Sequence, residues 1–144
     1  MRTKRTSPSS PKYRARVGYE GEYYLVRKFV SKGKKGSYAV RTPGSGSGKM
    51  AKPDIIAVDD GELLAIETKT SRKDYVMLNK NQAERLTSFC ESFAVRCPFC
   101  GGSFSPKAVL AARFLNRGWK FVEVPLDLHD KLILRLEDSK TKKR

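Results

Sequence analysis

Two apolar runs separated by a short polar turn form the clearest pattern along the chain. The runs cover 53–58 and 63–69, and the Asp-Gly dipeptide at 60–61 is typical of a two-residue β-hairpin turn. With those two residues as the loop, Asp54 falls opposite Glu67. Residues directly opposed in antiparallel strands carry their side chains on one face, with Cβ atoms about 4.5–5.5 Å apart. The pattern therefore predicts a carboxylate pair at one end of an apolar hairpin.

Apolar spacing along the rest of the chain predicts further strands and two helices. A first helix is predicted from Arg16 up to the glycine-containing segment 33–36, and a second over 79–95, because apolar residues recur there at helical spacing. Branched and aromatic runs predict strands, whereas the polar segment 70–78 is predicted to be irregular. The predicted strands are 37–41, 53–58, 63–69, 108–114, 119–124 and 131–136. This order predicts an α/β or α+β domain with a mixed sheet of about six strands and two helices.

The length of 144 residues is sufficient for one domain with a substantial core. Both ends differ in composition from the middle. Residues 1–15 have no apolar periodicity and are predicted to form a disordered basic arm, and residues 137–144 a basic tail. The folded domain is therefore predicted to cover residues 16–136.

The charge of the chain indicates a polyanionic partner. Thirty Lys and Arg residues against fifteen Asp and Glu give a formal net charge of +15. Nucleic acid is the simplest partner for such a chain, although a ribosomal or histone-like protein would also be basic. No apolar run approaches the length of a spanning helix, and no signal-peptide pattern opens the chain. We therefore expect a cytoplasmic protein that does not associate with membranes.

Asp54 and Glu67 are candidate metal ligands, because two close carboxylates repel each other unless a cation or a proton lies between them. Mg²⁺ takes one or two carboxylates together with waters and phosphate oxygens. Lys69 lies two residues after Glu67, hence on the same face, where it could act on a water or on phosphate charge. In the structural alternative, Asp54 ends a turn after Pro53, and Glu67 and Lys69 form an ordinary surface pair. Glu22, in the first helix, would then be a solvated carboxylate.

A glycine- and serine-rich segment, 42–49 (TPGSGSGK), precedes the hairpin. This composition predicts a mobile loop whose backbone amides can approach a phosphate, or simply a linker. The spacing of a P-loop is missing. The loop leads directly to Asp54, and Arg41 at its start is suited to binding a phosphate.

Cys97 and Cys100 form a Cys-x2-Cys turn followed by glycine, the shape of a zinc-binding turn. Zinc needs four ligands, and the chain offers only Cys90 and His129 in addition. One site within the chain would need all four residues to converge, whereas two such turns could also meet across a dimer axis. The remaining alternatives are a redox role, free thiols in a tight turn, or a stabilising disulfide.

Taken together, these segments resemble the archaeal Holliday junction resolvases, of the Hjc and Hje type, within the PD-(D/E)xK nuclease superfamily. The resemblance covers about residues 15–136. The matching segments occur in the family's order: 18–22 (GYEGE), 40–45 (VRTPGS), 53–57 (PDIIA), 66–69 (IETK), 82–84 (QAE) and 114–121 (FLNRGWKF). The family often has Arg after the helix glutamate, where this chain has Tyr23. The Cys-x2-Cys turn is not part of the family pattern.

The resemblance implies a restriction-endonuclease-like fold, with a central mixed sheet flanked by helices, and an endonuclease that resolves four-way DNA junctions in recombination and repair. It implies Mg²⁺ as cofactor, with Mn²⁺ as a substitute, and a homodimer that makes two symmetric nicks. By resemblance, the metal ligands are Glu22, Asp54 and Glu67, and the further catalytic residues are Lys69, Arg41 and Ser45. Candidate DNA contacts are Arg41, Ser45, Ser47, Lys49, Lys52, Arg72, Lys73, Lys80 and Gln82. Two alternatives remain: a nuclease of the same superfamily that cuts duplexes or flaps, and a basic nucleic-acid-binding module without activity.

Overall fold

The computed structural model describes residues 7–44, 50–138 and 144. Within these residues the chain forms two helices and nine strands. In chain order they are α1 Pro11–Val30, β1 Tyr38–Arg41, β2 Ile55–Asp59, β3 Glu62–Ser71, β4 Tyr75–Leu78, α2 Lys80–Ser92, β5 Val95–Arg96, β6 Ser103–Phe104, β7 Lys107–Phe114, β8 Gly118–Glu123 and β9 Leu132–Arg135.

The hairpin β2–β3 has the predicted turn and the predicted register. Asp60 and Gly61 both have positive φ angles, 53° and 82°, as a two-residue primed turn requires. Ile55 pairs with Ile66, so the next pair outward is Asp54 with Glu67. The prediction of this hairpin is confirmed, and it places the two carboxyl groups side by side.

Five strands form the central sheet in the order β1-β2-β3-β7-β8. Only β3 and β7 are parallel, so the sheet is mixed, as predicted. Alternation along β3 separates the two faces: Leu64 and Ile66 pack against Leu25 and Phe29 of α1. Ala65 instead joins the core on the opposite face, which α2, β4 and β9 cover. The sheet therefore lies between two layers, and α1 and α2 approach β3 from opposite sides.

The first helix begins at Pro11, five residues before the predicted start at Arg16. Ser10 caps it by accepting a hydrogen bond from the Tyr13 backbone N–H at 3.1 Å, and proline is favoured in the first helical turn. Residues 11–15 are therefore helical, which corrects the predicted extent of the irregular arm. Residues 1–6 of that arm lie outside the described residues.

The segment 70–78 is not irregular as predicted: β3 continues to Ser71, and Tyr75–Leu78 is a strand. Val76 and Leu78 of β4 are buried while Tyr75 and Met77 are exposed, the alternation of a half-buried strand. This strand pairs with β9. Because β9 thereby leaves the central sheet, that sheet has five strands and not six.

The second helix begins where predicted but ends at Ser92, before the predicted Val95. Asn79 and Gln82 form a capping box at its start. At its other end, Val95 and Arg96 pair with Phe104 and Ser103 in a small separate hairpin. This pairing satisfies backbone groups that a longer helix would have used.

Candidate active site

Asp54 lies at the open end of the hairpin and is held there by several hydrogen bonds. Its backbone carbonyl accepts from the Thr42 N–H at 3.0 Å, which extends the pairing of β1 beyond Arg41. Its carboxylate Oδ2 accepts from both the backbone N–H and the hydroxyl of Thr68, at 2.9 and 3.1 Å. The side chain is buried. These contacts fix the orientation of the carboxylate toward β3.

Glu67 is the neighbour of Asp54 across the hairpin, and the pKa of its carboxyl group is raised from 4.5 to about 8. Burial is the main cause, and the carboxylate of Asp54 adds to it, whereas Lys69 opposes the shift. A hydrogen bond between the two carboxyl groups also favours the protonated form. A hard cation bound between the two carboxyl groups would relieve the repulsion that they have when both are ionised.

Glu22 approaches the hairpin from α1, which comes close to β3 at Gly21. A Cβ atom added to Gly21 would lie only 3.1 Å from the Thr70 hydroxyl oxygen, so glycine allows this close approach. Glu22 accepts a hydrogen bond from Arg41 Nε at 2.7 Å. Burial raises the pKa of Glu22, the Arg41 bond lowers it, and Asp54 raises it further. Glu22 is thus electrostatically coupled to the carboxyl pair but is bound to arginine.

The structure brings Asp54 and Glu67 together, and it does not add Glu22 to the same ligand group. Across residues 7–44 and 50–138, no three His, Cys, Asp or Glu side chains converge closely enough to hold a metal ion. The alternation of β3 gives the reason, because Glu67 lies on the α2 side of the sheet whereas Glu22 comes from α1. Two carboxylates nevertheless fit Mg²⁺, which usually keeps several waters and binds through one or two carboxylates.

Arg41 is engaged with protein groups and not with an open phosphate site. In addition to its bond to Glu22, its guanidinium group lies over the Tyr19 ring, 4.3 Å from the centroid. Three other residues predicted for this loop, Ser45, Ser47 and Lys49, lie outside the described residues. The sequence offered no local signal for the Arg41–Glu22 pair, since the two residues are far apart in the chain and on different elements.

A cleft of about 270 Å³ lies next to Glu67 on the α2 side. It is lined by Lys52, Asn79, Asn81, Gln82, Arg85 and Leu86. Lys52 donates to the Pro43 carbonyl at 3.0 Å, and Arg85 donates to the Met50 carbonyl at 3.0 Å. Arg85 was missed as a candidate from the sequence. Its position three residues after Gln82 on one helical face could have indicated it.

A second groove, of about 440 Å³, is lined by Lys69. It is lined by the start of α1, including Tyr13 and Arg14, and by the end of β3 and the residues after it, including Arg72 and Lys73. Arg72 hydrogen-bonds the Tyr13 hydroxyl and lies over its ring at 5.2 Å from the centroid. Tyr13 and Arg14 were missed because the sequence placed them in the irregular arm.

Two further DNA-contact candidates have other partners. Lys80 forms an i,i+4 ion pair with Glu84 at 3.9 Å on the exposed side of α2. The Gln82 side chain accepts the Asn79 backbone N–H at 3.2 Å in the capping box, although Gln82 still lines the cleft. Of these two residues, only Gln82 remains beside the carboxyl pair.

The cysteines do not converge with His129 as one of the alternatives required. Cys90 is buried in the core under α2, Cys100 and His129 are exposed, and all three cysteines are free thiols. The four-ligand site within one chain is therefore wrong, and the disulfide is not formed. The Cys97–Cys100 turn belongs to the small hairpin of β5 and β6, which lies outside the central sheet.

The sequence profile of one protein family, described as "Archaeal holliday junction resolvase (hjc)", matches residues 13–141. The chain belongs to this family. Archaeal Holliday junction resolvases act on Holliday junction DNA, and membership implies a divalent metal ion. The matched range includes Asp54, Glu67 and Glu22, all residues that line the cleft, and all but one of those that line the groove. The resemblance inferred from the separate motifs is thus confirmed.

Named relatives agree with this membership. A crossover junction endodeoxyribonuclease of Sulfolobus islandicus rod-shaped virus 1 is 41% identical over 77 residues, 54% of this chain and 64% of that protein. The crossover junction endodeoxyribonuclease Hje of Saccharolobus islandicus (strain REY15A) is 36% identical over 79 residues, 55% of this chain and 56% of that protein. The matched part of this chain therefore spans less than two thirds of each of these relatives.

The fold also matches that of a solved resolvase. The 1.6 Å structure of Archaeoglobus fulgidus Hjc aligns with a TM-score of 0.62 over 82% of this chain and 88% of that one, at 24% identity. The predicted α/β architecture with a central mixed sheet, of the restriction-endonuclease-like kind, is confirmed. No helix among the described residues is both long enough and apolar enough to span a bilayer.

Proposed function

We propose that this protein is a crossover junction endodeoxyribonuclease that cuts four-way DNA junctions with Mg²⁺ as its metal ion. One observation carries the proposal: Asp54 and Glu67 lie side by side at the open end of the hairpin in a chain of the resolvase family. A basic groove lies on one side of Lys69 and a cleft with Lys52 and Arg85 lies beside Glu67. This arrangement would place a phosphate backbone across the two acids.

Asp54 and Glu67 are the residues that would hold the ion. When bound, a divalent ion lowers the pKa of a bound water and polarises a phosphate oxygen. The Thr68 N–H and hydroxyl keep the Asp54 carboxylate oriented. Glu67 must lose its proton to act as a ligand, and the Lys69 cation favours that loss. Lys69 would then orient a water or stabilise charge on the phosphate.

Glu22 and Arg41 act around this centre. Glu22 couples electrostatically to both acids of the hairpin and would organise the ion's water shell. Arg41 is held by Glu22 and Tyr19. It would bind a phosphate only after it releases the carboxylate of Glu22. Ser45, four residues after Arg41 in the sequence, would assist that step.

Junction resolution by paired nicks calls for two active sites, and a two-fold homodimer supplies them. Exposed apolar side chains offer surfaces for this contact, among them Tyr75, Met77 and Ile133 on the outer face of the ribbon of β4 and β9. Sedimentation at micromolar concentration should give the mass of two chains. A monomer that still makes paired nicks would contradict the two-site argument.

A cleavage assay with synthetic four-way junction, flap and linear duplex DNA in Mg²⁺ tests the activity. We expect paired nicks in the junction and little cutting of linear duplex. Asp54→Asn and Glu67→Gln should abolish cleavage but keep junction binding, which depends on many phosphate contacts. The matched control Glu91→Gln removes an exposed carboxylate at the far end of α2 and should cleave normally.

The outcomes separate the proposal from its rivals. Preferential cutting of flaps or duplexes would indicate another PD-(D/E)xK nuclease. Junction binding without cleavage by the unmodified protein in Mg²⁺ or Mn²⁺ would indicate a binding module. Normal cleavage by either hairpin variant would overturn the assignment of the metal ligands.

A further inference from the structure

The turn that joins β5 and β6 holds two cysteines in a fixed backbone frame. Cys97 N–H donates to the Gly102 carbonyl at 2.7 Å, and Gly101 N–H donates to the Cys97 carbonyl at 3.0 Å. These two backbone hydrogen bonds of Cys97 close the turn between Cys97 and Gly102. Gly101 has φ 72°, in the left-handed region that glycine adopts without strain.

Backbone N–H groups of the same turn act on both sulfur atoms. Gly102 N–H donates to Cys100 Sγ at 3.4 Å. The backbone N–H groups of Cys100 and Phe99 lower the pKa of the Cys97 thiol, and the Cys100 side chain adds to this effect. A Cβ atom at Gly102 would lie only 3.3 Å from Cys100 Sγ, so a larger residue would crowd that sulfur. Amide groups directed at sulfur favour the thiolate, which is the form that binds metals.

The chain itself cannot complete a four-ligand site around this turn. It contains three cysteines and one histidine. Cys90 is fully buried in the core, where burial raises its pKa to about 11. Among the described residues, no group of three potential ligands includes Cys97 and Cys100. Structural zinc sites have four protein ligands in tetrahedral array, so two must come from elsewhere.

Apolar side chains around the turn are exposed to water. Phe99, between the two cysteines, is 95% exposed, and Phe93, Val95 and Phe104 are also exposed. Val95 and Phe104 are directly paired across the hairpin. An apolar patch of this kind on a highly charged chain marks a protein contact. A two-fold contact through it would bring an identical pair of cysteines to face the first.

We propose that Cys97 and Cys100 form one half of a tetrathiolate zinc site, which a second copy of this chain completes. Four thiolates from two identical turns satisfy the tetrahedral preference of zinc. The Phe99 side chains at the two turns lose their exposure in the same contact. The proposal rests on the ligand count and on the geometry of the turn, and it does not depend on the proposed nuclease activity.

The metal content of the purified protein tests the proposal. We expect half an equivalent of zinc per chain, and a native mass spectrum with one zinc ion per two chains. Titration of the zinc-free, reduced protein with Co²⁺ should reach its end point at half an equivalent, with the absorption spectrum of a tetrahedral tetrathiolate site. One equivalent per chain, or a cobalt spectrum with fewer sulfur ligands, would overturn the proposal.

Two variants locate the ligands. The double variant Cys97→Ser with Cys100→Ser should lose all zinc and melt at a lower temperature than the zinc-loaded protein. The control Cys90→Ala removes the third thiol and should keep half an equivalent. Retention of zinc by the double variant, or no zinc in unmodified protein whose thiols are reduced, would also overturn the proposal. Since cleavage is measured separately, a failure here leaves the nuclease assignment untouched.

Discussion

At the scale of single residues, Asp54 and Glu67 repel each other across the hairpin when both are ionised. Burial and this repulsion raise the pKa of Glu67 to about 8, against 4.5 for an ordinary glutamate. Between pH 4.5 and about 8, the metal-free folded protein therefore keeps a proton on Glu67 that the unfolded chain has released. The same repulsion is the physical reason why a cation at this position would stabilise the folded protein.

We predict that Glu67→Gln changes how the stability of the metal-free protein depends on pH. Because the folded pKa is raised, the contribution of Glu67 is fully present below pH 4.5 and is lost as pH rises through about 8. Glutamine does not titrate, so the variant should be more stable than the unmodified protein above pH 8, by roughly 2–4 kcal/mol. Denaturant unfolding with a metal chelator at several pH values measures this difference.

The control for that experiment is Glu91→Gln, since Glu91 is exposed at the end of α2. It should leave the slope of stability against pH unchanged. A constant difference between Glu67→Gln and the unmodified protein from acid to alkaline pH would contradict the raised pKa. In that case Glu67 would not keep its proton in the folded protein at neutral pH.

At the scale of elements, the hairpin was predictable because its information is local. An Asp-Gly turn between two apolar runs fixes the register, and the register places Asp54 beside Glu67. The start of α1 was also encoded locally, as a serine cap followed by Pro11, but the basic composition of the arm obscured it. Local sequence signals thus specify both the hairpin turn that positions Asp54 and Glu67 and the residue at which α1 begins.

Other parts of the fold depend on contacts between distant residues. Strand β4 forms because Tyr75–Leu78 meets Leu132–Arg135, and nothing within the short segment 70–78 specifies that pairing. The ion pair of Glu22 with Arg41 likewise requires α1 to pack against the sheet at Gly21. Such tertiary contacts determine which side chains are neighbours, and they cannot be predicted from the periodicity of the sequence.

The packing of α1 on β3 leads to a prediction about two helical glycines. Gly18→Ala adds a Cβ with no atom within 4 Å, so it should stabilise the protein by up to about 1 kcal/mol through helix propensity. Gly21→Ala places its Cβ 3.1 Å from the Thr70 hydroxyl and must displace it. We expect Gly21→Ala to be less stable than Gly18→Ala by roughly 1–2 kcal/mol.

Thermal or denaturant unfolding of the two variants measures that difference, and cleavage assays add a second comparison. Because Glu22 follows Gly21, a shift of α1 should slow cleavage in Gly21→Ala and leave Gly18→Ala near the normal rate. Equal stability gains for both variants would show that α1 is not held against β3 at Gly21.

At the scale of the whole molecule, a net charge of +15 surrounds an acidic centre. Arg14, Arg72 and Lys73 line the groove next to Lys69, whereas Lys52 and Arg85 line the cleft next to Glu67. DNA bound by its phosphates across both surfaces would pass over the carboxyl pair, and it would be recognised through its shape and backbone rather than its bases.

We predict that the position of a positive charge, and not only the net charge, sets the salt dependence of junction binding. Each lost phosphate contact lowers the slope of log affinity against log salt by about 0.9. Arg14→Ala and Arg85→Ala should each show this loss. Lys34→Ala removes the same charge at the hairpin turn, where Lys34 pairs with Asp60 at 3.1 Å, and should leave the slope nearly unchanged. Binding to a Mg²⁺-free junction at several salt concentrations gives the slopes. An equal reduction in all three variants would mean that the grooves do not guide the DNA, and that the proposed path across Asp54 and Glu67 is wrong.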